Sequence, residues 1–422
     1  MMPEIRPGIG LAPSETLAAF DLRDELVQSV RWSELMNADH AFGFTMAKLH
    51  KLELLAKVRD AVRSMIADGG TPDRIIKGLV PELQKAGWWG VVTNAELTGT
   101  NEPVVINENR LRNMLRTNLR VSRAAGQWSR IQALKRLAPY LAYYAIDDDV
   151  TRPEHRIWGG LDGGKPIVLP VDHPFWLTHY PPNGWGCRCR PRQYSSDDLI
   201  SRELSVTSDD TLKAMGLMAS DGTIAPPEFT FSAANGEDYD IPSGIDPGFA
   251  YNAGIATLRA ATYRATQVIE ANAIDNFDAA QTVLGEIIAS PAFDLFLREP
   301  QNAFPVALLN PSWQERLSAP SPLVTLPNRV YLKQLKNHPD LALADYRALP
   351  EIVEGAVSVI AQGGDKLIFF KDRSGRLMKA VIRYDKSERL PYVVSFHFAQ
   401  TREIAREAKK GTLLFSAGDT LS

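Results

Sequence analysis

Five side chains that can bind a metal ion lie close together in the middle of the chain. They are three imidazoles and two thiols: His155, His173, His179, Cys187 and Cys189. Thiolate and imidazole are donors that suit zinc, and four of them in a tetrahedron can hold a structural ion. The surrounding segment is rich in Pro, Gly and Trp and shows little periodicity, so it needs such a clamp. A zinc site that staples the loop-rich segment is therefore possible here, and no cofactor is required.

Two other interpretations of these residues stay open. The two cysteines are separated by one residue, whereas the usual zinc knuckle separates them by at least two. In one alternative the histidines hydrogen-bond to backbone carbonyls and the cysteines are buried as small apolar side chains. In the other, a cysteine and a histidine form a catalytic pair, which requires a thiol of lowered pKa.

Two predicted strands near the C-terminus carry a second set of polar side chains. In PYVVSFHF, Ser395 and His397 share one face because side chains alternate along a strand. In LMKAVIRY, Lys379 and Arg383 share a face in the same way. If the strands pair, this surface offers the general base, general acid and cations that RNA cleavage without metal needs. The alternative is an ordinary solvated face of a sheet.

The chain has 422 residues, which is too long for one ordinary core and predicts two or three domains. The net charge of −3 does not by itself indicate a nucleic-acid binder. From Leu323 onward, however, 16 Lys and Arg stand against 11 Asp and Glu, so this part is positive and the rest is negative. The two cysteines have only one residue between them, which excludes an extracellular disulfide framework.

The location of the protein is predicted from two further features. The N-terminal segment MMPEIRPGIGLAPSE has no apolar signal core. No segment approaches the roughly 20 apolar residues of a membrane helix. We therefore expect a protein that is made and kept in a reducing cytoplasm and has no membrane partner.

Hydrophobic periodicity predicts helices over most of the first 145 residues. Leu55, Val58, Val62, Met65 and Ile66 recur mainly at spacings of three and four, which places them on one helix face. Thr71 and Pro72 are typical of the N-cap and first residue of the next helix.

A basic helix follows, from about residue 109 to 137. Arg112, Arg116 and Arg120 are spaced by four, so they form a stripe along it. The stripe is either a solvated surface or a contact for DNA phosphates or an acidic partner protein.

These patterns divide the chain into four segments. They are a helical N-terminal region, a motif region with the helices that follow it, a linker with three prolines, and an α+β domain: 1–145, 146–317, 318–328 and 329–422. In the last domain LALADYRALPEIVEGAVSVIAQ is predicted to be helical, and KLIFFK, LMKAVIRY and PYVVSFHF are predicted strands. The expected fold is thus multidomain, mostly α with a loop-rich His/Cys segment, plus a small α+β domain with an antiparallel sheet.

The motif segment DDDVTRPEHRIWGGLDGG, followed by LPVDHPFWLTHYPPNGWGCRCR, resembles the signature of the phage Mu F-like head-morphogenesis family. The matching positions are Arg152, His155, Gly160, Asp172, His173, Pro174, His179, Pro182, Gly184, Cys187, Arg188 and Cys189. KLELLAKVRDAV, KAGWWG and RLRNMLRTNLRVSRAAGQWSRIQ upstream, and DPGFAYNAG downstream, also resemble elements of the family. The resemblance covers approximately residues 30–260.

This resemblance implies a minor capsid protein that acts in procapsid and head assembly. Such a protein is present in few copies near the portal. Its expected partners are the portal and the capsid or scaffold proteins, and phage DNA is a further candidate. It implies a place in the virion, after assembly in the host cytoplasm.

The C-terminal residues 329–416 resemble a second group, the phage-borne nuclease-like domains grouped with barnase, EndoU, colicin E5/D and RelE. The matching features are His338, Tyr346, Lys371 and Ser395. The resemblance implies a toxin-like ribonuclease that binds RNA and acts without a metal.

The roles within this predicted nuclease follow from side-chain chemistry. His338 or His397 is the expected acid or base, and Ser395 is the positioning hydroxyl. Lys371 and Arg383 are expected to stabilise the phosphate charge. Two alternatives remain: a tail that binds DNA or a head protein without catalysis, and a free enzyme that acquired the head motif.

Overall fold

The computed structural model describes residues 14–417, and most of the N-terminal segment considered above lies outside this range. The chain divides into two compact units after Ala260. The division therefore does not fall at the expected boundaries near residues 145 and 328. The motif region and the helical region before it belong to a single unit.

The first unit contains short strands and several helices. The helices are α1 Ser14–Asp21, α2 Leu52–Ala67, α3 Pro72–Lys85, α4 Ala95–Thr98, α5 Glu108–Leu134, α6 Pro153–Trp158, α7 Ser196–Ser201, α8 Asp209–Ala214 and α9 Ala253–Asn272, which crosses the division. The strands are β1 Glu25–Leu26, β2 Gly43–Phe44, β3 Gly90–Val92, β4 Val104–Ile106, β5 Tyr140–Tyr144, β6 Val168–Pro170, β7 Arg190–Tyr194, β8 Glu228–Ser232 and β9 Asp238–Pro242. Single helical turns of the 3₁₀ type cover Trp32–Glu34, Asn37–Ala41 and Pro174–Leu177.

Helices α2, α3 and α5 enclose the main core of this unit. Val58, Val62 and Ile66 are fully buried in it, which confirms the face predicted from their spacing. Helix α3 begins as predicted, because the Thr71 hydroxyl accepts a hydrogen bond from the backbone N–H of Arg74 and Pro72 follows at the first helical position.

The long helix α5 is the element against which the rest of the first unit packs. A Cβ atom at Gly126 would lie 2.7 Å from the backbone nitrogen of Thr16, so α1 approaches α5 backbone to backbone. A Cβ atom at Gly254 would lie 2.1 Å from Cβ of Trp128, so α9 begins directly against α5. Glycine is needed at these two positions because no side chain fits between the helices.

The predicted loop-rich segment contains a small antiparallel sheet in the order β6-β5-β7. The sheet is attached to α5 by Gln193 of β7, whose side-chain amide donates to the carbonyl oxygens of Ile131 and Ala138 at 2.9 and 2.8 Å. The Tyr180 hydroxyl also donates to the carbonyl of Ala124 in α5 at 3.0 Å. Side chains of the motif segment thus donate hydrogen bonds to backbone carbonyl oxygens in and after α5.

The second unit is built on a seven-stranded sheet flanked by helices. Its strands are β10 Ala303–Leu308, β11 Leu323–Pro327, β12 Ser358–Gln362, β13 Lys366–Arg373, β14 Arg376–Asp385, β15 Leu390–Phe398 and β16 Thr412–Ser416. Its helices are α10 Phe277–Ala289, α11 Pro291–Arg298, α12 Pro311–Leu317, α13 Asn328–Asn337, α14 Leu343–Tyr346, α15 Leu349–Glu354 and α16 Thr401–Ala408. The strand order is β10-β11-β15-β14-β13-β12-β16, and only the pair β11 and β15 is parallel.

Two sequence predictions for this unit are wrong. The expected linker 318–328 includes β11, an interior strand with Leu323, Val324 and Leu326 fully buried, because its apolar residues pair with β10 and β15. The last part of the segment that was predicted to be helical instead forms the strand β12, because its β-branched residues pack in the sheet. The three predicted strands β13, β14 and β15 are confirmed.

No single helix within residues 14–417 is both long and apolar enough to cross a membrane, although the bent pair α10 and α11 passes on length and composition.

We predict opposite effects for two glycine-to-alanine substitutions in the first unit. Gly254→Ala should lower the free energy of unfolding by about 1–3 kcal/mol, since the new methyl group overlaps Trp128. The control Gly78→Ala should raise it by about 0.5–1 kcal/mol, because Gly78 is exposed inside α3 and a Cβ there meets nothing within 4 Å. Denaturant unfolding followed by tryptophan fluorescence measures this unit, which holds seven of the eight tryptophans. Equal stability of both variants would contradict the close packing of α5 and α9.

Candidate functional site

Three of the five predicted metal ligands meet in the first unit. The ligand atoms of His155, Cys187 and Cys189 all lie within 4.8 Å of one another. The His155 Nδ1 atom is 3.9 Å from Sγ of Cys187 and 3.4 Å from Sγ of Cys189. Ligands about 2.1–2.3 Å from one tetrahedral centre lie about 3.6 Å apart, so these spacings suit a shared ion. The group could hold a metal.

The imidazole of His155 is held in an orientation that suits a ligand. Its Nε2 atom lies 2.8 Å from the carbonyl oxygen of Gly244, so Nε2–H donates and Nδ1 keeps its lone pair toward the sulfurs. The ring is buried and stacks on Trp158 with 5.0 Å between the ring centroids. A backbone carbonyl behind a ligating histidine is the arrangement that fixes its tautomer in metal sites.

The two thiols interact directly. The hydrogen bond between them holds the pKa of the Cys187 thiol well below its usual value and raises the pKa of Cys189. Burial opposes ionisation of Cys187, whereas His155 favours it. Cys187 is therefore the more acidic of the two thiols, and a thiolate is the form that binds metals.

His173 and His179, the other two predicted ligands, lie outside this group. His173 is the N-cap of the turn Pro174–Leu177, where its Nδ1 atom accepts a hydrogen bond from the backbone of Phe175. His179 is fully buried and stacks on Phe175 with 4.4 Å between centroids. Burial lowers the pKa of His179 to about 3, so the ring is neutral. These two histidines shape the loop instead of joining the ligand set.

The carboxylate of Asp246 joins segments that are far apart in sequence, and sequence reasoning did not single it out. It accepts hydrogen bonds from the Arg152 guanidinium and, at 2.7 Å, from the backbone N–H of Trp185. A Cβ atom at Gly184 would lie 2.4 Å from the Asp246 carboxylate, so glycine is required there. The only sequence signal was that Asp246 opens the DPGFAYNAG segment.

A cavity of about 390 Å³ opens beside the three ligands. Thr151, Arg152, Trp185 and Arg188 contribute to its wall. In the described part of the chain no fourth His, Cys, Asp or Glu joins the ligand group. A metal held here would thus have a coordination position facing the cavity, where water or a partner's side chain can bind.

The predicted histidines of the second unit also meet. His338, which follows α13, stacks on His397 of β15 with 4.7 Å between centroids and 7° between ring planes. The Ser395 hydroxyl lies 3.1 Å from Nδ1 of His397. Burial is the largest cause that lowers the pKa of His397, and the nearby His338 and Lys379 lower it further. The structure thus places two imidazoles and one hydroxyl together on one face of the sheet.

A lysine beside this histidine pair is already neutralised. Lys379 lies opposite His397 in the strand ladder. Its ammonium group is buried and binds Glu407 of α16 at 2.9 Å and Glu403 at 3.6 Å. The Lys379 contact holds the pKa of Glu407 at about 2 against the effect of its burial.

The remaining predicted catalytic residues are not brought to the histidine pair. Lys371 follows Phe370, which shares the face of Lys379, so strand alternation turns Lys371 to the other face. Tyr346 is fully buried against Phe396, which is also on the other face because it precedes His397.

Arg383 is also separated from the histidines. It pairs with Asp365 at 3.0 Å and lies four residues from Lys379, about 13 Å along the strand.

The basic stripe of α5 is partly paired within the unit. Arg112 binds Asp73 of α3 at 2.8 Å, which holds the pKa of that carboxyl below its usual range. Burial lowers the pKa of Arg120. These two arginines therefore contribute to packing within the unit, whereas a fully solvated stripe is one of the two expectations from the sequence.

Comparison with known proteins finds a family match within the first unit. Residues 56–192 match the family model described as Phage Mu protein F like protein. The chain is 30% identical over 254 residues to the "Putative capsid assembly protein F" of Escherichia phage Mu, covering 59% of this chain and 55% of that protein. It is 36% identical over 179 residues to the Mu-like prophage FluMu F protein of Haemophilus influenzae, covering 42% and 41%. No solved structure matches.

These similarities support the resemblance to Mu F-like proteins. The chain spans about half the length of the curated relatives it matches. The family match contains His155, Cys187 and Cys189 and ends before Asp246 and before the second unit. It provides no support for a nuclease.

Proposed function

We propose that this chain is a minor capsid protein that acts in phage procapsid and head assembly, in low copy number near the portal. The observation that carries the proposal is the match of residues 56–192 to the Mu F-like model, in the segment where His155, Cys187 and Cys189 converge. Its partners are the portal and the capsid or scaffold proteins, with phage DNA as a further one. It is assembled in the host cytoplasm and remains in the virion.

Within this proposal, His155, Cys187 and Cys189 bind zinc. Two sulfurs and one imidazole nitrogen form a donor set suited to zinc, and the Gly244 carbonyl orients the imidazole. Zinc would join α6 to the segment before β7, and neither element is long enough to hold itself in place. The side chains around it, above all Asp246, set the position of the donors.

A second candidate function is RNA cleavage by the second unit. It is favoured by the contact of His338, His397 and Ser395 on one sheet face. One imidazole would take the proton of the ribose 2′-hydroxyl and the other would protonate the leaving oxygen. Lys371 and Tyr346 have no part in this proposal because they lie on the opposite face. The competing role, binding of DNA or a head protein without catalysis, is an outcome of the test below.

The first prediction concerns the particle. Mass spectrometry of purified heads should detect this protein well below the level of the major capsid protein. Asp246→Asn should reduce head yield in a complementation assay, because it weakens the bond with Arg152. The matched control is Asp240→Asn on β9, whose carboxylate is exposed and bonds only Thr230 among the described residues. Absence of the protein from both procapsids and mature heads would refute the assembly role.

The second prediction concerns zinc. Freshly purified, reduced protein should contain about one zinc per chain, and His155→Asn, Cys187→Ser and Cys189→Ser should each lose most of it. His173→Asn is the control and should keep the metal, because His173 caps a turn outside the ligand group. Elemental analysis measures the content. Wild-type protein without metal, or equal loss in the His173 control, would contradict the assignment.

The third prediction concerns RNA. In the presence of a chelator the full chain should cleave RNA, and His338→Ala or His397→Ala should slow cleavage about 10²-fold or more. Lys371→Ala should leave the rate unchanged, since Lys371 faces away from the histidines. Gel analysis of defined RNA substrates measures the rate. Intact RNA with folded wild-type protein would leave only a binding role for this unit.

A further inference from the structure

A second, larger cavity in the first unit is lined by positive charge. It has a volume of about 590 Å³ and lies beside α5. Four cationic side chains contribute to its lining, together with the imidazole of His40: Arg23, Arg31, Lys48 and Arg110. No Asp or Glu is among its lining residues. Such an excess of cations in an enclosed space favours a negatively charged ligand.

Arg23 is buried in the wall of this cavity without a carboxylate partner. Only 5% of the residue is exposed. Its Nη1 atom donates to the Asn118 side chain at 3.0 Å, whereas its buried Nε atom has no hydrogen-bond partner in the described structure. Burial lowers the pKa of Arg23, and the phenol of Tyr251 is the one group that opposes this effect. A buried guanidinium is unfavourable unless an anion compensates its charge.

Arg110 of α5 repeats this situation in the same wall. One of its Nη atoms donates to the carbonyl of Ala47, and its Nε atom is also buried without a partner. Within the described residues it forms no ion pair, and burial lowers its pKa. His40 lies close enough to Arg23 that burial and this charge lower the pKa of His40 to about 4. Two guanidinium groups without a carboxylate partner among residues 14–417 thus line one cavity.

The cavity also has aromatic side chains. Trp32 and Trp185, which contribute to its lining, are 39% and 40% exposed and lie edge to face at 6.0 Å between centroids. Phe249 packs on Trp185 at 5.1 Å and also lines the cavity. One face of Trp32 is stacked on Phe231 at 5.6 Å between centroids, so the remaining exposed surface of the two indoles, next to the cationic side chains, is what a planar ring can contact. The volume is within the usual range for small-molecule sites.

We infer that this cavity binds a nucleoside phosphate. The phosphate interacts with Arg23 and Arg110, whose planar donors match phosphate oxygens, and Lys48 adds charge. The base lies against Trp32 and Trp185. Phosphate is favoured over a single carboxylate because it carries the larger charge opposite these cationic side chains.

The experiment uses the full chain and deoxyadenosine monophosphate, with tryptophan fluorescence and thermal unfolding as readouts. The nucleotide should quench fluorescence saturably and raise the unfolding temperature, and added salt should weaken both effects. Deoxyadenosine and inorganic phosphate should each bind at least about tenfold more weakly. Phosphate that binds as tightly as the nucleotide would overturn the nucleoside part of the assignment. The absence of any response to millimolar nucleotide would overturn the site.

Substitutions separate a binding role from a structural one. Arg23→Met and Arg110→Met should abolish the response to the nucleotide. Each also removes one hydrogen bond, to the Asn118 side chain or to the Ala47 carbonyl, so the unfolding temperature of the ligand-free protein should fall only by the amount expected for about one hydrogen bond. Asparagine tolerates the positive φ of 64° at position 48, so Lys48→Asn should fold. This variant should weaken nucleotide binding about tenfold or more, and it replaces the arginine variants if they do not fold. Arg116→Met is the control: Arg116 is exposed on α5 and does not line the cavity. Equal loss of binding in Arg116→Met would refute the site.

Discussion

The carboxylate of Asp246 is the interaction on which the geometry of the first unit's site depends. It receives the Arg152 guanidinium, next to the start of α6, and the backbone N–H of Trp185, two residues before Cys187. Gly244 in the same loop accepts from His155. One short loop therefore positions the imidazole and the segment that carries the thiols. Segments rich in Pro and Gly form few hydrogen bonds between strands. A carboxylate that accepts hydrogen bonds from two such segments therefore sets the distance between them.

Helix α5 provides the rigid surface behind this arrangement. The glycines at the contacts with α1 and α9 bring backbones together, and Trp128 packs edge to face on Tyr180 at 5.0 Å. The same helix carries Arg110, with its unused donor, toward the large cavity. A single buried helix thus supports both the thiol–imidazole group and the cationic cavity, which share Trp185 in their walls. A change in the packing of α5 is therefore expected to alter both the thiol–imidazole group and the cationic cavity.

The second unit illustrates how local charge differs from net charge. This part of the chain is basic, yet the cation nearest to the histidine pair, Lys379, is buried between two carboxylates of α16. The face of the sheet that holds His397 is otherwise packed with apolar side chains that contact Ile404 of α16, among them Ile368, Phe370 and Val381. Chemistry at this face depends on the two imidazoles and Ser395 more than on the surplus of lysine and arginine.

The sequence alone determined the features that neighbouring residues encode. The spacing of Val58, Val62 and Ile66 predicted α2, and alternation predicted strands β13 to β15, because a helix or strand repeats its exposure over a few residues. Residue types likewise identified His155, Cys187 and Cys189 as metal ligands in kind.

Only the tertiary structure decided which of these residues meet. It separated His173 and His179 from the ligand group, placed β11 inside the sheet, and brought His338 to His397 while it turned Lys371 away. The physical reason is that such contacts depend on strand register and on which apolar faces are buried together. Both are set by residues far apart in the chain, and Asp246 in particular gains its role from Arg152 and Trp185, which local periodicity cannot reveal.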